Sequence, residues 1–310
     1  MKILNSILTT LFFANTACAT SESLETQMNY LEFQVFEVSD KANEHKIVDI
    51  DDIVAKHENK PTIYIFAESH DDTQAKVAKA YFTQEVVEKL GKVDNFDFVW
   101  EFLNIDEAGK LGEIERAFFK MSDDEKNYSE LTKQLVGEHN INYLPVVESV
   151  YKLGGTMIPG NVTRSVKRFI TKGKNGYEDV PVWAIPNDFQ YYHGTQDYLE
   201  LFASFFNIHH PDDISDNIKR YFEAQAFVDN ILAHSALNYA KSDLRFILCG
   251  NVHAEFYLGV VEQIKKRQKV FSKYNIVTVN FVEKTENWKD KLNKRYKGKK
   301  ISDYFILVEK

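Results

Sequence analysis

Residues 61–72 read Pro-Thr-Ile-Tyr-Ile-Phe-Ala-Glu-Ser-His-Asp-Asp, an uncharged run of β-branched and aromatic side chains that ends abruptly in ionisable ones. A continuous apolar run of this length suits a strand covered on both faces, as in an α/β sheet. Ligands of such sheets bind in the crevice beyond the carboxyl ends of the strands. Glu68 and His70 fall at that end.

The device recurs. Phe246-Ile-Leu-Cys-Gly-Asn-Val-His253 is a second apolar strand, broken at Gly250, that delivers His253 to a loop before a helix predicted over about 255–269. Asp97-Phe-Val-Trp-Glu-Phe-Leu103 carries Glu101 at or near its end. Thr156-Met-Ile-Pro-Gly-Asn161 reads as another strand, although Pro159 removes a ladder donor. Thr163 is then placed to cap a helix bearing Arg164 and Arg168. Runs at 274–282 and 304–308 supply the last strands, and 30–38 alternates like an edge strand or hairpin. The run at 180–185 is also apolar.

Between these runs, Val77, Tyr81, Val86, Val87 and Leu90 recur at near-helical spacing over 73–90. Two charged helices are predicted over 106–138, divided where Ser122 and Glu125 form a capping-box pattern. Further helices are predicted over 143–153, 196–206 and 214–240. Strands followed by helices predict an α/β fold: a mostly parallel central sheet flanked by helices, with a helical insertion or cap from the portions near 105–153 and 196–240. Residues 20–310 are long enough to bury one sizeable core as a single domain.

Residues 1–19 carry a lysine, a short apolar segment and then small residues, the layout of a secretory signal peptide. Thr16-Ala-Cys18 resembles a bacterial lipobox, with Asn15 where leucine is usual. The expectation is export, as a periplasmic protein or an outer-membrane lipoprotein that meets the membrane only through a lipid anchor. Cys249 then has no thiol to pair with, and it reads as a small buried hydrophobe. A net charge of −8 excludes a general nucleic-acid binder. No Gly-rich phosphate loop, G-x-S-x-G elbow or Cys-x-x-Cys pair is present. The basic stretch 284–300 reads as a solvated helix and turn, or as a surface for anionic head groups.

In a parallel sheet Glu68, His70, Glu101, Asn161, Arg164 and His253 converge at one edge. His70, His253, Glu68 and Glu101 together suit a divalent metal such as zinc, manganese or iron. They equally suit metal-free acid and base chemistry, a carboxylate polarising His70 while Arg164 holds an anionic group. Gln225 and Asp229, one turn apart, face either water or a site. Tyr191, Tyr192 and His193 form an aromatic loop of residue types that ligate haem or stack on a flat ligand, and equally of types common in ordinary loops. His209-His210 before Pro211 resembles a turn.

The ordered set Ala67-Glu-Ser-His70, Glu101-Phe-Leu-Asn104, Gly160-Asn-Val-Thr-Arg164, Gln225 with Asp229 and Ala233, and Gly250-Asn-Val-His253 resembles the ChaN-like family of haem-binding uptake proteins. That family belongs to a superfamily with Tiki proteases, TraB proteins and erythromycin esterases, and the likeness spans roughly residues 60–265. It implies a haem or iron binder of the cell envelope, with an outer-membrane uptake receptor and a second copy of the chain as expected partners. The superfamily's paired G-x-x-H motifs match at 250–253 and, with Ala67 replacing glycine, at 67–70. Glu68, His70, Glu101, Arg164 and His253 match positions that look catalytic or metal-binding in the enzymatic branches. The alternative function is therefore a metal-dependent esterase or peptidase.

Overall fold

The computed structural model describes residues 28, 31–268 and 274–309. The expected leader and lipobox lie outside the described residues. Eight strands form the main sheet: β1 (Glu32–Glu37), β2 (Lys46–Val48), β3 (Thr62–Glu68), β4 (Phe96–Asn104), β5 (Thr156–Asn161), β6 (Leu244–Gly250), β7 (Asn275–Glu283) and β10 (Tyr304–Glu309). A short ribbon of β8 (Arg295–Tyr296) and β9 (Lys299–Lys300) stands apart. The order across the main sheet is β2-β1-β10-β7-β3-β6-β4-β5. From β10 to β5 every neighbouring pair is parallel, whereas β1 and β2 join antiparallel. The fold is thus the mixed α/β, mostly parallel arrangement that the strand-helix alternation predicts.

All seven residues of β3 are buried, as its lack of alternation requires. Tyr64 and Phe66 face one side with Phe98, Phe246 and Phe281, under α2 (Thr73–Lys89) and α5 (Leu144–Lys152). Ile63, Ile65 and Ala67 face the other with Val99, Ile247 and Cys249, under α8 (Asp216–His234) and α9 (Val260–Arg267). Full burial of one such apolar side chain contributes roughly 1.5–3 kcal/mol. The chain builds β4 and β5 on one side of β3, inserts β6 beside it, and then continues with β7 and β10 on the other. Such a reversal is the place where open α/β sheets form their crevice, here at the carboxyl end of β3.

Helix α1 (Ile50–His57) follows β2, and α3 (Ala108–Phe119) and α4 (Tyr128–Val136) precede α5. The remaining helices are α6 (Arg164–Lys172), α7 (Gln196–Ser204) and α10 (Trp288–Asn293). The Ser122–Glu125 capping box forms at the break between α3 and α4. Pro159 is tolerated because β5 is the outermost strand, so a missing donor interrupts no ladder beyond it.

Some local expectations fail for identifiable reasons. Thr163 holds the N-cap position of α6 as expected, but its side chain makes no capping bond; its N–H and hydroxyl go to Asp106 at 2.9 and 2.5 Å. Helix α9 begins at Val260 rather than near 255, because Phe256 and Tyr257 take φ of 59° and 58°. Of the two readings of 30–38 the hairpin holds: β1 pairs antiparallel with β2, which takes the edge in its place. Within α2, Lys76 and Lys79 are fully buried, whereas Lys89 in its last turn is exposed. The 180–185 run forms only a turn at Val182–Ala184, and Val182 and Trp183 stand 78% and 69% exposed. Among the described residues no helix is long and apolar enough to cross a membrane.

Candidate functional site

The rung between Trp100 and Leu248 is the last that joins β4 to β6, and the pairing of β4 with β5 slips beyond Trp100. Glu101 therefore stands where the backbones separate, and its Oε2 accepts a hydrogen bond from the Gly250 N–H at 2.7 Å. Asn161 Nδ2 donates to the Glu101 carbonyl at 2.8 Å. Glu68 ends β3 directly opposite Gly250.

The pleat turns Glu68 to the Tyr64 and Phe66 side, beneath α2. Its Oε2 lies 2.8 Å from Lys79 Nζ, both side chains being fully buried. Tyr143 donates its hydroxyl proton to Oε1. His70 Nδ1 lies 3.0 Å from the same oxygen and 3.2 Å from the Tyr143 hydroxyl. Because Tyr143 gives its proton to Glu68, Nδ1 is the donor of the imidazole. Burial disfavours the Glu68 carboxylate, but Lys79 and His70 outweigh it and hold the group at about 2. Burial likewise opposes charge on His70, yet the bond to Glu68 and the field of Glu101 raise its pKa. Lys76 donates to the His70 carbonyl at 2.5 Å and sits 4.5 Å from the centre of the Tyr143 ring. Burial brings its pKa down to about 8.

On the other side of the sheet His253 is held between two acids. Its Nδ1 lies 2.7 Å from Asp229 Oδ1 and its Nε2 3.2 Å from Glu101 Oε1. The Gln225 amide lies 2.9 and 2.8 Å from the two ring nitrogens. Burial opposes the imidazolium, but Glu101 and Asp229 overcome it and raise its pKa to about 10. Glu101 is lowered to about 2 against burial by His253, His70 and the Gly250 N–H. Asp229, buried more than its partner compensates, is raised to about 6. Glu101 thus links a Lys79–Glu68–His70 chain to an Asp229–His253 pair.

These pairings leave the four expected metal ligands engaged elsewhere. Among the described residues no group of three His, Cys, Asp or Glu side chains is set to hold a metal ion. Glu68 is taken up by Lys79, Tyr143 and His70. His253 has both ring nitrogens against carboxylates, Asp229 Oδ1 at 2.7 Å and Glu101 Oε1 at 3.2 Å. The divalent-metal arrangement expected for His70, His253, Glu68 and Glu101 is therefore not formed.

Over residues 53–264 the sequence matches the family described as haem-binding uptake, Tiki superfamily, ChaN. The chain belongs to this family. Among solved structures, ChaN of Campylobacter jejuni, reported for cofacial haem binding, superposes with a TM-score of 0.63. That likeness covers 91% of this chain and 98% of the other at 18% identity, and it shows the ChaN fold. No curated protein matches.

In this ChaN-family chain Arg164 stands exposed on the first turn of α6 rather than inside the crevice. The α6 cation that Glu101 influences is Lys167, whose Nζ lies 3.4 Å from Asn161 Oδ1. Tyr191 stacks on Tyr177 with centroids 4.2 Å apart and meets His193 edge-on at 4.9 Å. Tyr192 is fixed by its N–H to Asn230 at 2.9 Å and lies beneath Arg267. His193 is exposed, and so is His210, which accepts from the Asp212 N–H in its turn.

Sequence reasoning passed over Lys76, Lys79 and Tyr143. A signal for the lysines exists, since 76, 79, 83 and 86 share one helical face with residues the structure buries. Tyr143 had none, coming from an irregular turn.

Gly250 has an ordinary φ of −63°, but a Cβ there would lie 3.1 Å from His70 Nε2 and 3.4 Å from Cε1. Gly250→Ala is expected to push the imidazole off Glu68 and cost about 1–3 kcal/mol. In an NMR titration the His70 pKa should fall toward the ordinary histidine value. An unchanged titration would show that the ring yields without losing Glu68.

Proposed function

We propose that this protein is an exported haem binder of the cell envelope that serves iron acquisition, taking haem at the mouth of the crevice. The observations that carry the reading are an accessible imidazole at the strand ends and exposed apolar side chains on a turn packed against the exit of β4. The turn Val182–Ala184 touches the turn Ile105–Glu107 that leaves β4, so the exposed Val182 and Trp183 lie near the strand ends. His70 keeps 45% of its side chain exposed and meets Phe102 edge-on at 5.1 Å.

A porphyrin needs an apolar support, a ligand for iron and cations for its carboxylates. Trp183 and Val182 offer the first; His70, or Tyr191, Tyr192 and His193 of the aromatic loop, offer the second; Arg164 and Arg168 offer the third. Family membership supports the role, and the leader-like N-terminus supports export. An outer-membrane uptake receptor and a second copy of the chain are the partners such a role calls for.

Haemin titration is expected to shift the Soret band at a defined stoichiometry and to quench Trp183 emission. His70→Ala, Tyr191→Phe, Tyr192→Phe and His193→Ala variants then identify the ligand by which one loses the shift. If His70 ligates, affinity should rise with pH as the ring loses its proton. A flat titration would sink the proposal.

A second reading is favoured by the two imidazole–carboxylate pairs meeting at Glu101: a hydrolase that works by acid and base catalysis without metal. An esterase and peptidase screen with His70→Ala and His253→Ala controls tests it. Equal activity in the variants removes both residues from the mechanism.

A further inference from the structure

We infer that the face formed by α6 and the turn Val182–Ala184 docks on an anionic lipid surface. The chain carries a net charge of −8, yet residues 164–174 hold Arg164, Lys167, Arg168, Lys172 and Lys174 with no acid among them. Arg164, Arg168, Lys172 and Lys174 are exposed, and among the described residues no ion pair engages any of these four side chains.

The other basic stretch is different. Lys284 pairs with Glu309 at 2.7 Å, Lys297 with Asp197 and Glu200 at 2.7 and 2.6 Å, and Lys300 with Asp303 at 3.5 Å. Those three cations are neutralised locally, although Lys289, Lys291, Lys294 and Lys299 of the same stretch enter no ion pair among the described residues; Arg164, Arg168, Lys172 and Lys174 are all left to solvent, and on a face that also exposes apolar side chains.

Apolar side chains accompany them. Phe169 is 42% exposed between Arg168 and Ile170, and Val182 and Trp183 project from the adjoining turn. That turn is fixed to the helix because Val180 and Ala184 pack in one cluster with Val166 and Ile170. Cations flanking exposed Trp, Phe and Val suit an interfacial mode, with charges at lipid phosphates and apolar groups at the acyl boundary. Thr163, at the start of α6, is bonded to Asp106 beside the strand ends. Docking would therefore bring the crevice mouth close to the bilayer. The sequence pattern offers a lipid anchor and the 284–300 stretch for membrane contact; this face adds a third contact, made by the folded domain, and a bilayer there would compete with haem for Trp183, Arg164 and Arg168.

The test uses the full chain with Cys18→Ser, so that no acyl chain contributes, mixed with phosphatidylglycerol–phosphatidylcholine or pure phosphatidylcholine vesicles. Co-sedimentation is expected to be about tenfold or more stronger on the anionic vesicles, with a blue shift of Trp183 emission. Salt at roughly 0.5 M should reverse both. Arg164→Gln/Arg168→Gln/Lys172→Gln should lose most of the binding while circular dichroism and melting stay unchanged, whereas Lys289→Gln/Lys294→Gln should keep it. Equal binding to neutral vesicles, no binding, or full binding by the triple variant would overturn the inference. So would a solution dimer dissolved by Trp183→Ser without vesicle binding, since the face would then belong to a second copy.

Discussion

Replacing Lys79 by Met is expected to lower the unfolding free energy by about 3–5 kcal/mol, among the largest effects any single substitution in this chain should produce. Lys79 and Glu68 are both fully enclosed, with 2.8 Å between Nζ and Oε2. Without the ammonium, Glu68 keeps only neutral Tyr143 and the partly exposed His70. A buried carboxylate in that setting must either stay charged at high cost or take up a proton. Glu68→Gln should cost a similar amount, because Lys79 is then left with the Ala75 carbonyl at 3.1 Å and the face of Phe281. The double variant should be markedly more stable than the sum of the single losses, since it leaves no unpaired charge. Urea unfolding of all four proteins measures the coupling, and additive losses would mean that the pair does not act as one unit. The pH dependence has a definite sign. Glu68 is depressed from 4.5 to about 2, so its contribution is present above pH 4.5 and lost as pH falls through about 2. Wild type and Lys79→Met should converge at the acid end.

The same pair shows where sequence and structure part. Glu68, His70, Glu101 and His253 were legible because burial pins an uncharged strand inside the sheet, so the ionisable group that stops it must emerge at the carboxyl edge. Lys79 was not, because a lysine in a helix is normally solvated, and only its alignment with Thr83 and Val86 hints at burial. Arg164 and Lys167 are three residues apart on α6, whose start was legible, but that it is Lys167 that reaches Asn161 is set by how the helix packs, not by its start. The start of α9 was invisible because the positive φ at Phe256 and Tyr257 is imposed by tertiary contacts rather than by residue type. Gly259 completes that corner: at φ 54° a Cβ would stand 2.3 Å from the His253 carbonyl oxygen, so the loop carrying His253 closes only over a glycine. The 180–185 run misled in the opposite sense, its apolar residues being divided between the core at Val180 and Ala184 and the surface at Val182 and Trp183. Fold class rested on periodicities that the core enforces, whereas the site depends on long-range side-chain pairings that no periodicity records.

His253→Gln should be the counterpart on the other side of the sheet, with a loss of about 3–5 kcal/mol at pH 8. In the wild type the folded-state pKa of His253 is raised from 6.5 to about 10. Its contribution is therefore complete below pH 6.5 and lost as pH rises through about 10. Glu101, lowered from 4.5 to about 2, contributes above pH 4.5 and loses that contribution as pH falls through about 2. Asp229, raised from 3.8 to about 6, works against stability as pH rises through that interval. Glutamine removes the cation and leaves two buried carboxylates on either side of a neutral amide, an arrangement that favours uptake of a proton. The variant should therefore gain stability as pH falls from 8 to 5, where the wild type lacks that steep gain. His253→Gln/Asp229→Asn should recover stability at pH 8, because one of the two like charges is gone. Urea midpoints across pH 5–8 decide the matter, and a flat profile for the single variant would remove the clamp. If the clamp holds, His253 keeps its proton throughout the neutral range and cannot serve there as a base or as a ligand for iron. Proton exchange or ligation at the crevice mouth then falls to His70, the more exposed ring, which faces Glu101 across Gly250.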